Sequence, residues 1–386
     1  MRKSARNIFL IPRAVRFVRS HAMLVVAALV ACVTMVIVPP DSAYLGYFDW
    51  NTLGCLFSVL AVANAFRFAG AFDRIARLAI EHLSTPTSVV MTLVITTGVL
   101  SMVATNDLAL IIMLPITLFA QVKAEWGSLI APAFVLEGLA ANLCGMIMPF
   151  GNPQNLYLYS VSNMAFSDFA WAVWPYTALS LVMLLASVRT VREAPLSHRL
   201  VSDEPAESVQ APHDLKRAIT PYLLLLVLCL LVVFRVLPYG PVLVIVAVVV
   251  FAINRGLFRH VDYGLLATFV CFFVFIGNVK RIPEVSTLLI SLVSGRELGA
   301  GILTSQIISN VPAAILLSGF THNLTTLLTA VNLGGLGTLV ASLASLISFK
   351  FFSKEYTTQK GRFLKVFTLW NVGFLVVLTL LASILI

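Results

Sequence analysis

Charge is what this sequence has least of. Only 11% of its 386 residues are Asp, Glu, Lys or Arg, while 59% are hydrophobic and the mean hydropathy is +0.96. An ordinary soluble domain carries about 25% charged residues. So little charge cannot cover a water-facing surface, and the composition specifies a polytopic membrane protein. Histidine is also scarce: the six (His21, His82, His198, His213, His260, His322) fall at span ends or in loops, which argues against a buried metal site. There is no His pair with Glu on a helix, no phosphate-cradling Gly-Lys-Ser/Thr loop and no Ser-His-Asp set. Those absences argue against an enzyme and against nucleotide-driven pumping by this chain alone. Five cysteines (Cys32, Cys55, Cys144, Cys229, Cys271) sit in apolar runs without paired spacing, and read as core residues rather than disulfides or metal ligands. The net charge of +9 is scattered over loops, a pattern of membrane topology and not of nucleic-acid binding.

Runs approaching the roughly 20 apolar residues that cross a bilayer read as about nine full spans. They cover 21–39, 51–69, 128–163 (interrupted), 169–188, 219–238, 240–254, 263–279, 322–349 (interrupted) and 364–386. The first follows a basic stretch ending at Arg19 and closes at Pro39-Pro40 without a small-residue cleavage motif, so it reads as a span and not a cleaved leader. With a cytoplasmic N-terminus, 22 of the 26 Lys and Arg fall on the cytoplasmic side, leaving Arg235, Lys280, Arg281 and Arg296 opposite. The chain then divides into a cytoplasmic basic tail (1–20), a first repeat (21–188), a cytoplasmic linker (189–218), a connecting span (219–239) and a second repeat (240–386). The connecting span inverts the second repeat relative to the first. Segments 71–84 and 281–294 read as interfacial helices.

Two short apolar hairpins, 86–121 and 297–320, turn on Ser/Thr-Asn tips: Thr105-Asn106-Asp107 and Ser309-Asn310-Val311. The tip asparagines lie 204 residues apart, with Ser101/Ser305, Ala109/Ala313 and Ile111/Ile315 in the same register. The apolar arms Leu108–Ala120 and Leu298–Ile308 have 13 and 11 residues. At about 1.5 Å per residue they reach mid-membrane only, which predicts re-entrant hairpins. Each hairpin is followed by a span broken at a polar island. The islands align at an offset of 190 residues, pairing Asn142/Asn332, Gly145/Gly335, Asn152/Ser342 and Asn155/Ser345. Mid-span glycine and proline free amides at one broken end and carbonyls at the other, and such ends bind anions and Na⁺ respectively.

Asp107 is the only charge between Glu81 and Lys123. It is read either as a cap on the hairpin's second arm or as a proton or Na⁺ site. Glu137, just over one helical turn before Asn142, is read either as facing the same cavity or as pairing with a basic neighbour. Thr96 and Thr97 are expected to bond back to their own helix.

The tips, with the islands Gly151-Asn152-Pro153-Gln154-Asn155 and Gly334-Gly335-Leu336-Gly337-Thr338, resemble the ion transporter superfamily. That group includes divalent anion/sodium symporters, citrate transporters, arsenite permeases and sodium/proton antiporters. The resemblance implies a homodimer with scaffold and moving transport domains and an elevator cycle. It implies substrate contacts at Thr105, Asn106, Ser309, Asn310, Asn152, Pro153 and Thr338. Coupling-ion positions would be Asn106, Gly151, Asn310 and Gly337, beside Asp107 and Glu137. Where the dicarboxylate branch has Thr, this chain has Asp107 and Val311, and Asn-Asp at the first tip is more similar to the arsenite and sodium/proton branch.

The sequence thus specifies an all-α inverted-repeat transporter of the bacterial inner membrane. It would move a small inorganic or organic anion coupled to Na⁺ or H⁺, with no cofactor and no metal beyond Na⁺. Its partners are the bilayer and a second copy, not nucleic acid. The alternative reading is arsenite/antimonite efflux or Na⁺/H⁺ antiport.

Overall fold

The computed structural model describes residues 22–70, 85–124, 129–190 and 215–386. The basic tail 1–20, the interfacial segment 71–84 and most of the linker 189–218 lie outside the described residues. Within them the chain is all-helical. In a setting without water, a helix satisfies every backbone polar group inside its own segment, and these apolar runs have no better solution.

The first half runs α1 (Ala22–Ile37), a 3₁₀ turn (Ser42–Tyr47), α2 (Trp50–Phe68), α3 (Pro86–Val103), α4 (Asn106–Ala124), α5 (Ile130–Gly145), α6 (Pro153–Ser162) and α7 (Phe166–Thr190). Helix α8 (Leu215–Val233) connects. The second half repeats the order: α9 (Tyr239–Asn254), a 3₁₀ turn (Arg255–His260), α10 (Tyr263–Lys280), α11 (Pro283–Val293), α12 (Glu297–Ile308), α13 (Asn310–Ser318), α14 (Leu324–Gly334), α15 (Leu343–Glu355) and α16 (Lys360–Leu385).

Packing repeats as well. Helix α1 lies on α10 and α9 on α2, and α3 packs on α5 as α12 packs on α14. Across the halves, α4 meets α15 and α13 meets α6, while α5 meets α16 and α7 meets α14. The caps follow suit. Asp49 accepts from Asn51 N at 3.2 Å and Thr52 N at 3.3 Å to start α2, and Asp262 accepts from Leu265 N at 2.9 Å to start α10.

Five helical stretches among the described residues are long and apolar enough to cross a membrane singly: Trp50–Phe68, Phe166–Thr190, Tyr239–His260, Tyr263–Lys280 and Thr357–Leu385. Helices α11 and α12, bent by 112° at their junction, pass that test as a pair. Both expected interruptions are present, at 146–152 and 335–342. The hairpins form where the sequence puts them, but their arms differ. Those of the second have 12 and 9 residues, whereas those of the first have 18 and 19. The first is longer than its apolar core because Thr85 caps α3 through Ser88, and α4 runs on through Gln121 and Lys123, good helix formers outside an apolar run. All five cysteines are free; Cys55, Cys144 and Cys229 are buried as expected, while Cys32 is exposed on the outer face of α1.

Candidate functional site

The two tips meet at one cavity. This small cavity, about 20 Å³, is lined by Asn106 and Asp107 of the first tip, by Ser309, Asn310 and Val311 of the second, by Pro153 and Gln154, and by Ser342 and Leu343. Met23 and Leu265 complete the wall. Four helices begin at these residues: α4 at Asn106, α6 at Pro153, α13 at Asn310 and α15 at Leu343. Each carries roughly half a positive charge at its amide end, so the four together make the cavity attractive to negative charge without a basic side chain. Among the described residues no Lys, Arg or His lines it, and Asp107 is its one acidic residue.

Each tip is pinned to the broken span of its own half in the same way. Asn106 N donates to Gly151 O at 3.0 Å, and Asn310 N donates to Ala341 O at 2.9 Å. Gly151 is where this approach becomes too close for a side chain, because a Cβ there would lie 2.1 Å from Gly145 O. At the second tip Ser309 holds φ +76° and ψ 154°, a conformation that is essentially glycine's. Its hydroxyl donates to Ala341 O at 3.3 Å, the carbonyl that also holds Asn310.

Two asparagines join the halves behind the cavity. Asn142 Oδ1 accepts from Asn106 Nδ2 at 3.0 Å and from Ser342 Oγ at 2.9 Å. Asn332 Oδ1 accepts from Asn152 Nδ2 at 3.3 Å and Gln154 Nε2 at 3.2 Å, and its own Nδ2 donates to Asn155 Oδ1 at 2.6 Å and Leu328 O at 2.8 Å. Backbone carbonyls fix which way these amides point. Leu328 O orients Asn332, Met146 O orients Asn155 at 2.9 Å, and Asn142 O orients Asn152 at 3.2 Å. The atoms left over are therefore oxygens. Asn152 Oδ1, Gln154 Oε1 and Asp107 Oδ1 are buried without a partner among the described residues. Unpaired acceptors at this depth are costly unless something donates to or coordinates them.

Of the residues the sequence singles out, Asn106, Asp107, Pro153, Ser309 and Asn310 line the cavity. Thr105 is buried just behind the tip, and its Oγ1 accepts from Leu108 N at 3.4 Å. It is thus Thr105, not Asp107, that caps α4, and Asp107 sits in the first turn. Gly151 and Asn152 form the wall behind Asn106. Thr338 is exposed and away from the cavity: its N–H donates to Gln306 Oε1 at 2.9 Å and its hydroxyl to Gln306 O at 3.2 Å. Gly337 stands beside it at φ +100°. Glu137 is fully buried between α3, α4 and α5 and does not reach the cavity. Among the described residues no basic neighbour pairs with it; Thr97, which also bonds back to Leu93 O as expected, and Thr117 are its partners.

Gln154 and Ser342 belong to the cavity, and Asn142 and Asn332 to its frame. The signal for all four was their polarity inside otherwise apolar broken spans. Val311, Leu343, Met23 and Leu265 carried none, since apolar wall residues look like any other in such a sequence.

Residues 14–330 match the family described as citrate transporter, a stretch that includes both tips and the first break. An uncharacterised transporter of Methanocaldococcus jannaschii is 28% identical over 338 residues, covering 87% of this chain and 90% of its own. The inner membrane protein YbiR of Escherichia coli K12 is 29% identical over 307 residues, 78% of this chain and 80% of its own. The silicon efflux transporter LSI3 of Oryza sativa is 26% identical over 151 residues, 38% of this chain and 30% of its own.

Proposed function

The chain belongs to the citrate transporter family, and from that premise we propose that it is a secondary active transporter moving a small anion together with Na⁺ or H⁺. One observation carries this reading: four helix N-termini begin at a single cavity that no basic side chain among the described residues lines. Helix amides hold an anion through N–H donors and dipoles that need no counter-ion of their own. The unpartnered oxygens of Asp107, Asn152 and Gln154 are the complementary feature, suited to a cation. An anion and a cation held side by side cost less to carry through a membrane than either alone.

The repeated element order and the mirrored contacts support two inverted repeats with the site between them. On this reading the second hairpin is re-entrant, since arms of 12 and 9 residues span only about 18 and 14 Å. The hairpins and breaks move as a transport domain past a scaffold, in an elevator-type cycle, within a homodimer in the bacterial inner membrane whose N-termini are cytoplasmic. A second reading is efflux of a neutral, hydroxyl-rich oxyacid such as arsenite. Asp107 opposes a fully charged anion, and the same unpartnered oxygens would accept from solute hydroxyls.

Purified protein in liposomes, with imposed Na⁺ or pH gradients, is screened with radiolabelled dicarboxylates, citrate, sulfate and arsenite. Gradient-driven uptake of an anion, abolished in Asn106→Ala and Asn310→Ala, is the expected result. Transport of arsenite alone transfers the protein to the second reading. Proton movement on adding Na⁺, with no solute uptake, makes it an antiporter and overturns both.

A further inference from the structure

The root of the first hairpin holds a second polar site that the cavity does not use. Glu137 of α5 is fully buried, as are Thr97 of α3 and Thr117 of α4. Glu137 Oε1 faces both hydroxyls and Oε2 has no partner.

Counting protons shows what is missing. Thr97 Oγ1 lies 2.7 Å from Leu93 O and 3.2 Å from Glu137 Oε1. Thr117 Oγ1 lies 3.2 Å from Met113 O and 2.8 Å from Glu137 Oε1. These four contacts share two hydroxyl protons, because each threonine has one to give. With an ionised carboxylate, two of the four are oxygen facing oxygen with nothing between. A proton on Oε1, directed at Thr117 Oγ1, frees the Thr117 proton for Met113 O and the Thr97 proton for Leu93 O, so three of the four contacts are filled and only the 3.2 Å approach of Thr97 Oγ1 to Oε1 is left without one. It also removes a charge that no described residue compensates. The helices packed on α5 are α3, α4, α7, α15 and α16. Their charged and titratable residues with described side chains are Asp107, Asp168, Tyr176, Arg189, Lys350, Lys354, Glu355, Lys360, Arg362 and Lys365, and α5 itself adds Cys144. None makes an ion pair or hydrogen bond with Glu137. A buried carboxylate with no cation and one naked oxygen is among the costliest groups a protein can hold.

We infer that Glu137, Thr97 and Thr117 form a proton-binding site, occupied in this conformation and separate from the substrate cavity. The second repeat keeps only one member of this set: Thr321 stands where Thr117 does, and its hydroxyl donates to Glu297 Oε1 at 2.6 Å. Leu327 stands where Glu137 would, and Gly301, in place of Thr97, packs so tightly that a Cβ there would lie 2.5 Å from Ala330 Cβ. The carboxyl group of α5 and the Thr97 hydroxyl are therefore particular to the first half. Release of the proton requires water to reach the α3/α4/α5 junction. That links it to any motion of the first hairpin against α5, a role that rests on the transporter reading above.

The test is infrared difference spectroscopy of purified protein in lipid, comparing wild type with Glu137→Gln across acid to neutral pH. The readout is the carbonyl stretch of a protonated carboxylic acid. Wild type is expected to keep such a band at neutral pH and Glu137→Gln to lack it. Identical spectra overturn the inference. Thr117→Val, which preserves shape and the carboxyl group, is expected to shift the frequency of that band, and serves if Glu137→Gln does not fold. An unshifted band in Thr117→Val overturns the proton's placement. The band is measured without any solute, so a wild-type protein that takes up nothing counts against the transporter reading and leaves this one standing.

Discussion

Asp107 is where the two requirements of the cavity conflict. It is a carboxylate set among helix N-termini that favour negative charge, in the space where the substrate anion would sit. Its unpartnered Oδ1 resolves the conflict if a cation or proton joins it. Asp107→Asn keeps the shape and removes the charge, so it is expected to bind solute while losing Na⁺ or H⁺ coupling and the pH dependence of uptake. Coupled uptake with an unchanged pH profile in that variant would remove Asp107 from the mechanism. Ser309 presents a different balance. Its backbone strain costs roughly 1–3 kcal/mol, which Ser309→Gly relieves and Ser309→Ala does not. Ser309→Gly is expected to melt at a higher temperature than Ser309→Ala, while both bind solute more weakly than wild type because the hydroxyl at the tip is gone. A lower melting temperature for Ser309→Gly would show that the tip is not strained.

At the scale of elements, the broken spans are held open by different means in the two halves. The second break is laced by Gln306, whose Nε2 donates to Gly334 O and Leu336 O at 2.9 Å each and whose Oε1 accepts from Thr338 N at 2.9 Å. Met102 occupies the corresponding place in the first hairpin, so the first break relies on the close Gly145–Gly151 approach instead. Gln306→Leu leaves two carbonyls and an amide unpaired, at about 1–3 kcal/mol each where they are buried. It is expected to speed amide exchange across 334–342 and to leave 145–152 unchanged. Gly151→Ala is expected to do the reverse, since overpacking of this kind costs about 1–3 kcal/mol or more. Equal acceleration at both breaks in either variant would show that they do not act as separate units. The loop after α1 is tied to the end of α10 by Arg281 Nη2 and Asp41 Oδ2 at 2.8 Å, with the Arg281 hydrogen bond holding Asp41 below its usual carboxylate range. Asp41 is lowered on folding, so its contribution is present above the ordinary carboxylate range and is lost as pH falls through the lowered value. Because the pair is exposed, Asp41→Asn is expected to have a small effect on melting temperature that salt removes.

For the molecule as a whole, much of the plan was legible because the membrane simplifies the code. Polar residues in apolar runs have few reasons to be there, so Asn106, Asn310 and Asn152 announced both the tips and the first break. Offsets of 204 and 190 residues pair the halves in the sequence, and the packing repeats in the same order. What stayed hidden was direction. Thr338 and Glu137 read as site residues because sequence gives position along a helix but not the face it presents; one lies outside the cavity against Gln306 and the other behind it with two threonines. The second arm of the first hairpin, expected over Leu108–Ala120, runs from Asn106 to Ala124, since helix continues past the point where apolar composition ends.

The central claim is that both tips hold one solute. Equilibrium binding of the transported anion to wild type, Asn106→Ala, Asn310→Ala and the double variant tests it. Each single variant is expected to lose about tenfold or more in affinity, equal to roughly 1.4 kcal/mol. The double variant is expected to lose less than the two losses combined, because residues that share one ligand do not act independently. Wild-type affinity in either single variant would contradict a shared site and leave the two tips as separate structures.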